Sequence, residues 1–215
     1  MRRRALIATV GAGIGGLAGC LGGGGDASAR DDHPAAQDLD AQPSLGPDPA
    51  DADNLLVAFE DPSCPTCGRF ETETFPRIRE EMVEPGDAAF VFRGYPDTYD
   101  WGEPAIHALE ATFDRDEAAF WSLKAHFYET QSAFDADNAL DRVGSFLDAE
   151  TDLDADAVVV DARDEAFADA VRTDVDAAEG SDASTPSVAL FAGDEFRSLV
   201  SGAQGYDVYA DALNV

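Results

Sequence analysis

The order of apolar and polar positions divides the chain into short buried strands and amphipathic helices. The apolar run 55–59 has the length of a buried strand, and 88–93 alternates as a second strand. Between them, apolar residues recur at i, i+3 and i+7, which predicts a helix from Gly68 to about Val83, bent near Pro76. A strand, a helix and a strand in this order predict two parallel, neighbouring strands.

The second half of the chain reads as an insertion of helices followed by a hairpin. Helical spacing of apolar residues recurs within about 100–182, around 106–113, 120–127, 140–147 and 167–175. Residues 187–192 and 195–200 then flank the turn Gly193-Asp194, which predicts an antiparallel hairpin, and a short helix at 206–213 ends the chain. The fold class is therefore α/β.

The N-terminal residues 1–19 have the basic start and short apolar stretch of an export signal. Arg3-Arg4-Ala5-Leu6-Ile7 resembles a twin-arginine signal, and Leu17-Ala18-Gly19-Cys20 resembles a lipobox. We therefore expect cleavage before Cys20 and a lipid on its sulfur, although a third redox cysteine or a chance match are the alternatives. Lipidation would leave an even pair of cysteines for chemistry.

Residues 20–53 are rich in Gly, Ala, Asp and Pro and lack apolar periodicity. They are interpreted as a lipidated cysteine followed by a disordered acidic tether, with Ser44-Leu45 as a small edge strand near its end. The folded domain is expected to occupy 54–215.

The charge is strongly acidic, with 14 Lys+Arg against 44 Asp+Glu and a formal net charge of -30. Thirteen phenylalanines and two tryptophans are enough aromatic residues to build a core, so the acidic excess belongs to the surface rather than to a disordered chain. Such a surface repels itself less in concentrated salt, which favours a salt-loving source. Nucleic-acid binding is excluded by charge.

Cys64-Pro65-Thr66-Cys67 lies where the first long strand gives way to a helix. Cysteines three apart in a first helical turn share one face, within disulfide reach. The helix N-terminus favours a thiolate at Cys64, and the ring of Pro65 is pre-set for the first helical position. The pair is thus a candidate redox-active disulfide, with half a zinc site or a structural staple as alternatives.

A zinc site needs about four ligands. Besides the cysteines, the chain offers His33 in the expected tether and His107 and His126, which are expected to be ordinary surface residues. We therefore expect neither a metal nor a cofactor.

The order of elements resembles DsbA-like thiol:disulfide oxidoreductases of the thioredoxin superfamily, here of a haloarchaeal lipoprotein type. The segment 59–67 is similar to the family's strand-to-active-site segment, and Thr185-Pro186-Ser187-Val188 to its cis-proline loop. The resemblance implies a thioredoxin fold with a helical insertion between the second central strand and the C-terminal β-hairpin. It also implies that Pro65 and Thr66 tune the redox pair, that Pro186 is cis, and that the backbone of Thr185 pairs with a client peptide.

The implied function is thiol:disulfide exchange with client proteins, on the outer face of the cell membrane, assisted by a membrane redox partner. The alternatives are a reductase in cytochrome or oxidase maturation and a non-catalytic or metal-binding lipoprotein on the same scaffold. Many relatives carry a buried carboxylate six residues before the first cysteine, a position occupied here by Ala58. Glu60 is then the candidate proton relay, although its place at the end of a strand predicts a solvated side chain.

Overall fold

The computed structural model describes residues 29–215. The export signal and Cys20 lie outside the described residues, so their assignments stay predictions.

A five-stranded mixed sheet forms the centre of the protein, in the order β1-β3-β2-β4-β5. Its strands are β1 (Ser44–Leu45), β2 (Asn54–Glu60), β3 (Ala89–Gly94), β4 (Ser187–Ala192) and β5 (Glu195–Ser201). β2 and β3 are parallel, whereas β4 is antiparallel to both β2 and β5, and β1 is antiparallel to β3. The parallel pair, the small edge strand and the hairpin predicted from the sequence are confirmed.

The helix that follows β2 changes its hydrogen-bonding pattern along its length. It consists of α1 (Pro65–Arg69), a π-helical turn (Phe70–Thr74), α2 (Phe75–Ile78) and a second π-helical turn (Arg79–Val83). Because Pro76 cannot donate a backbone hydrogen bond, the helix around it is irregular, and the π-turns accommodate that loss. The helix ends at Val83, as predicted.

Five helices separate β3 from β4, and one follows β5. They are α3 (Gly102–Phe113), α4 (Glu117–Glu129), α5 (Ala139–Glu150), α6 (Ala155–Arg163), α7 (Ala168–Gly180) and α8 (Tyr206–Leu213). α6 lies between the helices expected around 140–147 and 167–175 and was not predicted from the sequence. The Asp154 side chain accepts a hydrogen bond from the Ala157 N–H and so caps this helix.

Both faces of the sheet are covered. Leu56 and Ala58 of β2 face the active-site helix, α4 and α8, whereas Leu55, Val57 and Phe59 face the opposite side. This arrangement explains why β2 is an uninterrupted apolar run instead of an alternating one.

The expectation of a disordered tether is wrong for its described part, residues 29–53. Short 3-10 helices at Arg30–Asp32, Pro34–Ala36 and Leu39–Ala41 lie over the second face of the sheet. Ala35 is fully buried, and His33 stacks on Phe196 with ring centroids 4.2 Å apart. The apolar residues of β2 on this face need a cover, and this polar-looking segment supplies part of it.

Every helix within residues 29–215 is too short or too polar to span a lipid bilayer.

Candidate active site

The two cysteines lie at the junction of β2 and α1. Cys64 is the N-cap residue of α1 and Pro65 occupies its first position, while Cys67 is inside the first turn. Cys64 retains 6% of its surface exposed and Cys67 none, and both thiols are free. The pair therefore presents one accessible sulfur and one buried sulfur, with half-buried Thr66 between them.

Cys64 is an acidic thiol. The pKa of Cys64 is lowered to about 5, and the largest cause is a hydrogen bond from the Cys67 thiol. The backbone N–H of Cys67 and the side chains of Thr98 and Thr185 lower this pKa further, whereas burial raises it. At neutral pH Cys64 is therefore a thiolate.

Cys67 has the opposite character. Burial, the hydrogen bond to Cys64 and the charge of Glu60 all raise the pKa of Cys67, and only the Asp61 N–H, which donates to Cys67 Sγ at 3.5 Å, opposes them. The reduced pair thus holds its proton on Cys67 and its charge on Cys64.

The loop before β4 lies against Cys64. The Thr185–Pro186 peptide bond is cis, as the resemblance implies, and Cys64 Sγ lies 3.4 Å from the Thr185 carbonyl oxygen. This juxtaposition follows from the sheet, because Ser187 at the start of β4 pairs with Phe59 near the end of β2.

Glu60 is fully buried, which overturns the expectation of a solvated side chain. Its Oε1 lies 3.3 Å from Lys124 Nζ, which also lies 2.7 Å from Oε2 of Glu71. Burial, and then the neighbouring charge of Glu71, raise the pKa of Glu60, while Lys124 lowers it. A carboxyl group able to hold a proton is thus placed where its charge acts on Cys67.

The position of Glu60 has a simple origin in strand geometry. Side chains alternate along a strand, so Glu60 lies on the same face as Ala58, the position at which the resemblance implies an acid. The chain has a carboxylate on the expected face, two residues further along β2.

Lys124 was not singled out in the sequence. It is 1% exposed, and its ammonium lies 4.9 Å from the ring centroid of Phe75 and 5.3 Å from that of Tyr128. Its spacing could have revealed it, because Lys124 follows Phe120 by four residues and therefore shares the buried stripe of α4.

Gln131 was also missed. Its side-chain amide donates to the carbonyl oxygens of Pro62 and Cys64, at 2.7 and 2.9 Å, and so ties the helical insertion to the active-site turn. No local pattern in the sequence marks this contact, which depends on how the insertion packs.

The three histidines are packing residues rather than surface residues. His33 lies between aromatic rings, His107 is 4% exposed within α3, and His126 stacks on Phe146 with centroids 4.2 Å apart. Across residues 29–215, no group of three or more His, Cys, Asp or Glu side chains is arranged to hold a metal ion.

Comparison with known proteins places these features in a family. A family model described as thioredoxin matches residues 43–200. The chain belongs to the thioredoxin family. Thioredoxin-family membership accounts for the central sheet and for a Cys-x-x-Cys pair at the start of a helix.

Relatives within the family include disulfide bond formation protein D of Bacillus subtilis, 31% identical over 93 residues, which are 43% of this chain and 41% of that protein. The probable disulfide bond formation protein D of Bacillus anthracis is 31% identical over 90 residues, 42% of this chain and 41% of that protein. The matched segment thus spans less than half the length of these relatives.

Solved structures of low identity share the fold with its helical insertion. Oxidised BdbD from Bacillus subtilis superposes with a TM-score of 0.73 at 23% identity, covering 89% of this chain and 100% of that chain. The α-DsbA1 of Wolbachia pipientis gives 0.65 at 16% identity, covering 80% and 89%. The fold expected from the sequence, a thioredoxin fold with a helical insertion, is therefore confirmed.

Proposed function

We propose that this protein is an extracytoplasmic thiol:disulfide oxidoreductase that oxidises client proteins through Cys64 and Cys67. The observation that carries the proposal is the unequal pair of thiols, one acidic at a helix N-terminus and one buried and protonated, beside a cis-proline loop. The names of the Bacillus relatives, disulfide bond formation proteins, agree with this activity.

The first step begins with the oxidised pair. A client thiolate attacks Cys64, the more accessible sulfur; a client–Cys64 disulfide forms, the Cys64–Cys67 bond breaks, and Cys67 leaves and takes up a proton. A second client thiolate then attacks the client sulfur of the mixed disulfide and releases Cys64 as a thiolate. The client loses two electrons and the pair gains them, so a membrane redox partner that accepts electrons must re-oxidise the pair.

The acidity of Cys64 supports the oxidising direction of exchange in this proposal. The interactions that lower the pKa of Cys64 stabilise its thiolate, and at neutral pH they therefore stabilise the reduced form of the pair. The same stabilised thiolate is a better leaving group than an ordinary cysteine thiolate. A pair whose reduced form is stabilised is a stronger oxidant. This argument favours a disulfide donor over a reductase in cytochrome or oxidase maturation.

The proton that Cys67 takes up or gives away needs a carrier, and Glu60 fills this role in the proposal. Glu60 is buried, has a raised pKa and acts electrostatically on Cys67. Beyond it, Glu71, Lys124 and Tyr128 border a cavity of about 600 Å³ that opens toward solvent, which offers a route for exchange.

Thr185 and Pro186 are proposed to receive the client. The Thr185 carbonyl lies beside Cys64, at the point where an extended peptide aligned with the loop would bring its own cysteine to Cys64. Pro65 and Thr66 complete the turn that presents Cys64.

A disulfide-donor assay tests the activity. The oxidised protein, in concentrated salt, is mixed with reduced, unfolded ribonuclease A, and the loss of client thiols is followed together with the reduction potential of the pair. We expect rapid oxidation and a strongly oxidising potential, and Cys64→Ser should be inactive. Reduced Cys67→Ser, mixed instead with ribonuclease A that carries disulfides, should accumulate a mixed disulfide, because its Cys64 thiolate attacks a client disulfide and no Cys67 thiol is left to break the new bond. Turnover by Cys64→Ser, or a strongly reducing potential, would contradict the proposal.

The lipid anchor at Cys20 is part of the proposed location. Membrane fractionation of cells expressing the full chain tests it, with Cys20→Ser as the control. We expect the unsubstituted protein in the membrane fraction and Cys20→Ser in the soluble exported fraction, whereas identical distributions would exclude the anchor.

A further inference from the structure

A buried carboxylate outside the Cys-x-x-Cys motif connects the active-site turn to a neighbouring loop. Asp61 directly follows β2 and has no exposed surface. Its Oδ1 accepts a hydrogen bond from the Ser63 N–H at 2.7 Å, and its Oδ2 accepts from the N–H groups of Asp97 and Thr98 at 3.0 and 2.8 Å. A carboxylate bound by several backbone donors is a strong, directional link.

Ser63 adds a second link to the same loop. Its Oγ accepts a hydrogen bond from the Tyr99 N–H at 3.0 Å. Three successive residues, Asp97, Thr98 and Tyr99, thus donate their backbone N–H groups to the turn that precedes Cys64. The loop 95–101 between β3 and α3 is held there by side chains of the active-site segment rather than by its own secondary structure.

The start of α3 is fitted to this link. A Cβ placed on Gly102 would lie 2.4 Å from Asp61 Oδ1 and 2.9 Å from Ser63 Oγ, so a residue with a side chain would push both acceptors away. Glycine at 102 therefore preserves the contact between the loop and the turn.

The consequence of this arrangement falls on Cys64. Thr98 is bound through its backbone N–H to Asp61, three residues before Cys64 in the same turn, and the Thr98 side chain is one of the groups that lower the pKa of Cys64. Asp61 is buried and can act as a rigid support, whereas Thr98 is exposed, as a group beside an accessible sulfur should be.

We infer that Asp61 is a positioning residue that fixes the loop 95–101 against the active-site turn, so that the Thr98 hydroxyl donates a hydrogen bond to the Cys64 sulfur. This assignment rests on the proposed function and extends it to residues beyond the Cys-x-x-Cys pair. When Cys64 leaves as a thiolate, the Thr98 hydroxyl stabilises the charge that appears on sulfur, and no further reactant is needed.

The Thr98 hydroxyl is tested by titrating the thiolate absorbance of reduced protein at 240 nm, a measurement that needs no client. Thr98→Val keeps the shape and removes the donor, and we expect it to raise the Cys64 pKa by about one unit, since a hydrogen bond to a charged group is worth roughly that much. Thr98→Ser should keep the original value. An unchanged Cys64 pKa in Thr98→Val would overturn the inference.

The role of Asp61 is tested with a double-mutant cycle, in which the Cys64 pKa is measured for Asp61→Asn with and without Thr98→Val. Asp61→Asn removes the charge and leaves one side-chain acceptor oxygen in place of two, so either the bond from Ser63 or the bonds from Asp97 and Thr98 are lost, and those that remain lose their charge assistance. Asp97→Asn removes an exposed charge from the same loop and serves as the control. We expect Asp61→Asn to raise the Cys64 pKa and make the pair less oxidising when residue 98 is Thr, but not when it is Val. Equal effects in both backgrounds would show that Asp61 does not act through Thr98.

Two outcomes remain separable from these. If Asp61→Asn does not fold, Ser63→Ala, which removes only the link to Tyr99, takes its place in the same cycle with the same expected coupling. If the unsubstituted protein does not oxidise ribonuclease A, the proposed function fails, while the Cys64 titration still decides whether Thr98 and Asp61 act on that sulfur.

Discussion

At the scale of single residues, Glu60 makes the sharpest prediction. Cys67 must take up a proton inside the protein when the client–Cys64 disulfide forms, and it must give one up in the reverse step, when Cys67 attacks that disulfide. Glu60 is the buried carboxyl group whose charge acts on Cys67. Glu60→Gln should therefore slow the attack of Cys67 on a preformed client–Cys64 disulfide at neutral pH, by about a hundredfold if Glu60 acts as a general base.

Glu73→Gln is the matched control for this measurement, because Glu73 lies exposed on the same helical region and has no contact with the buried charges. Stopped-flow tryptophan fluorescence or acid-quenched gel assays follow the release of the client. Equal rates for Glu60→Gln and Glu73→Gln would show that water alone carries the proton.

Single residues also show where sequence reasoning stopped. Cys64 and Cys67 were recognisable because a motif of four residues carries its own local geometry. Glu60 was assigned to solvent because it ends a strand, yet strand alternation alone places it on the buried face with Ala58. Its partner Lys124 comes from α4, more than sixty residues away, and no local pattern pairs the two.

At the scale of elements, the segment 29–53 is the largest departure from the expected organisation. Its composition is that of a linker, and short 3-10 helices leave no periodic signal in a sequence. What orders it is the face of the sheet beneath it, where Phe191 and Leu55 require cover. The apolar pattern of the sequence identifies a strand that is buried on both faces, but it does not identify which segment of the chain packs on the second face.

His33→Ala tests whether this segment contributes to stability. The imidazole ring packs against Phe191 and Phe196, with centroid distances of 5.2 and 4.2 Å. Two such aromatic contacts and the lost burial predict a decrease of about 2 kcal/mol in the free energy of unfolding, measured by denaturant titration at constant salt. Asp32→Ala, an exposed change in the same segment, should have little effect, and a tether would show no loss for either variant.

At the scale of the whole molecule, one buried ion pair joins elements from three parts of the chain. Arg93 on β3 and Asp174 on α7 are 0% and 1% exposed, with 2.7 Å between Nη1 and Oδ1. The Arg93 guanidinium also donates to the carbonyl oxygens of Ala35 and Gln37 in the N-terminal segment. The sheet, the insertion and the N-terminal segment therefore share one charged centre. Its residues are far apart in the sequence, so no local pattern predicts that they meet.

Glu110 on α3 adds a second buried carboxyl group to this centre and gives it a pH dependence. Burial, and then the charge of Asp174, raise the pKa of Glu110 to about 8. A carboxyl group whose pKa is higher in the folded protein binds more protons there than in the unfolded chain. The contribution of Glu110 to the free energy of unfolding is therefore complete below its unfolded pKa near 4.5 and is lost as pH rises through 8. That loss is at most about 5 kcal/mol.

Glu110→Gln should therefore flatten the decline of stability with pH. We expect the free energy of unfolding of the unsubstituted protein, relative to Glu110→Gln, to fall between pH 5 and about pH 8.5, as measured by denaturant titration. The protein is studied with its cysteines oxidised, because a Cys64 thiol with a lowered pKa would add a pH dependence of opposite sign. Glu103→Gln, an exposed change on the same helix, should follow the unsubstituted protein; a constant difference between the unsubstituted protein and Glu110→Gln would mean that Glu110 does not titrate in this range.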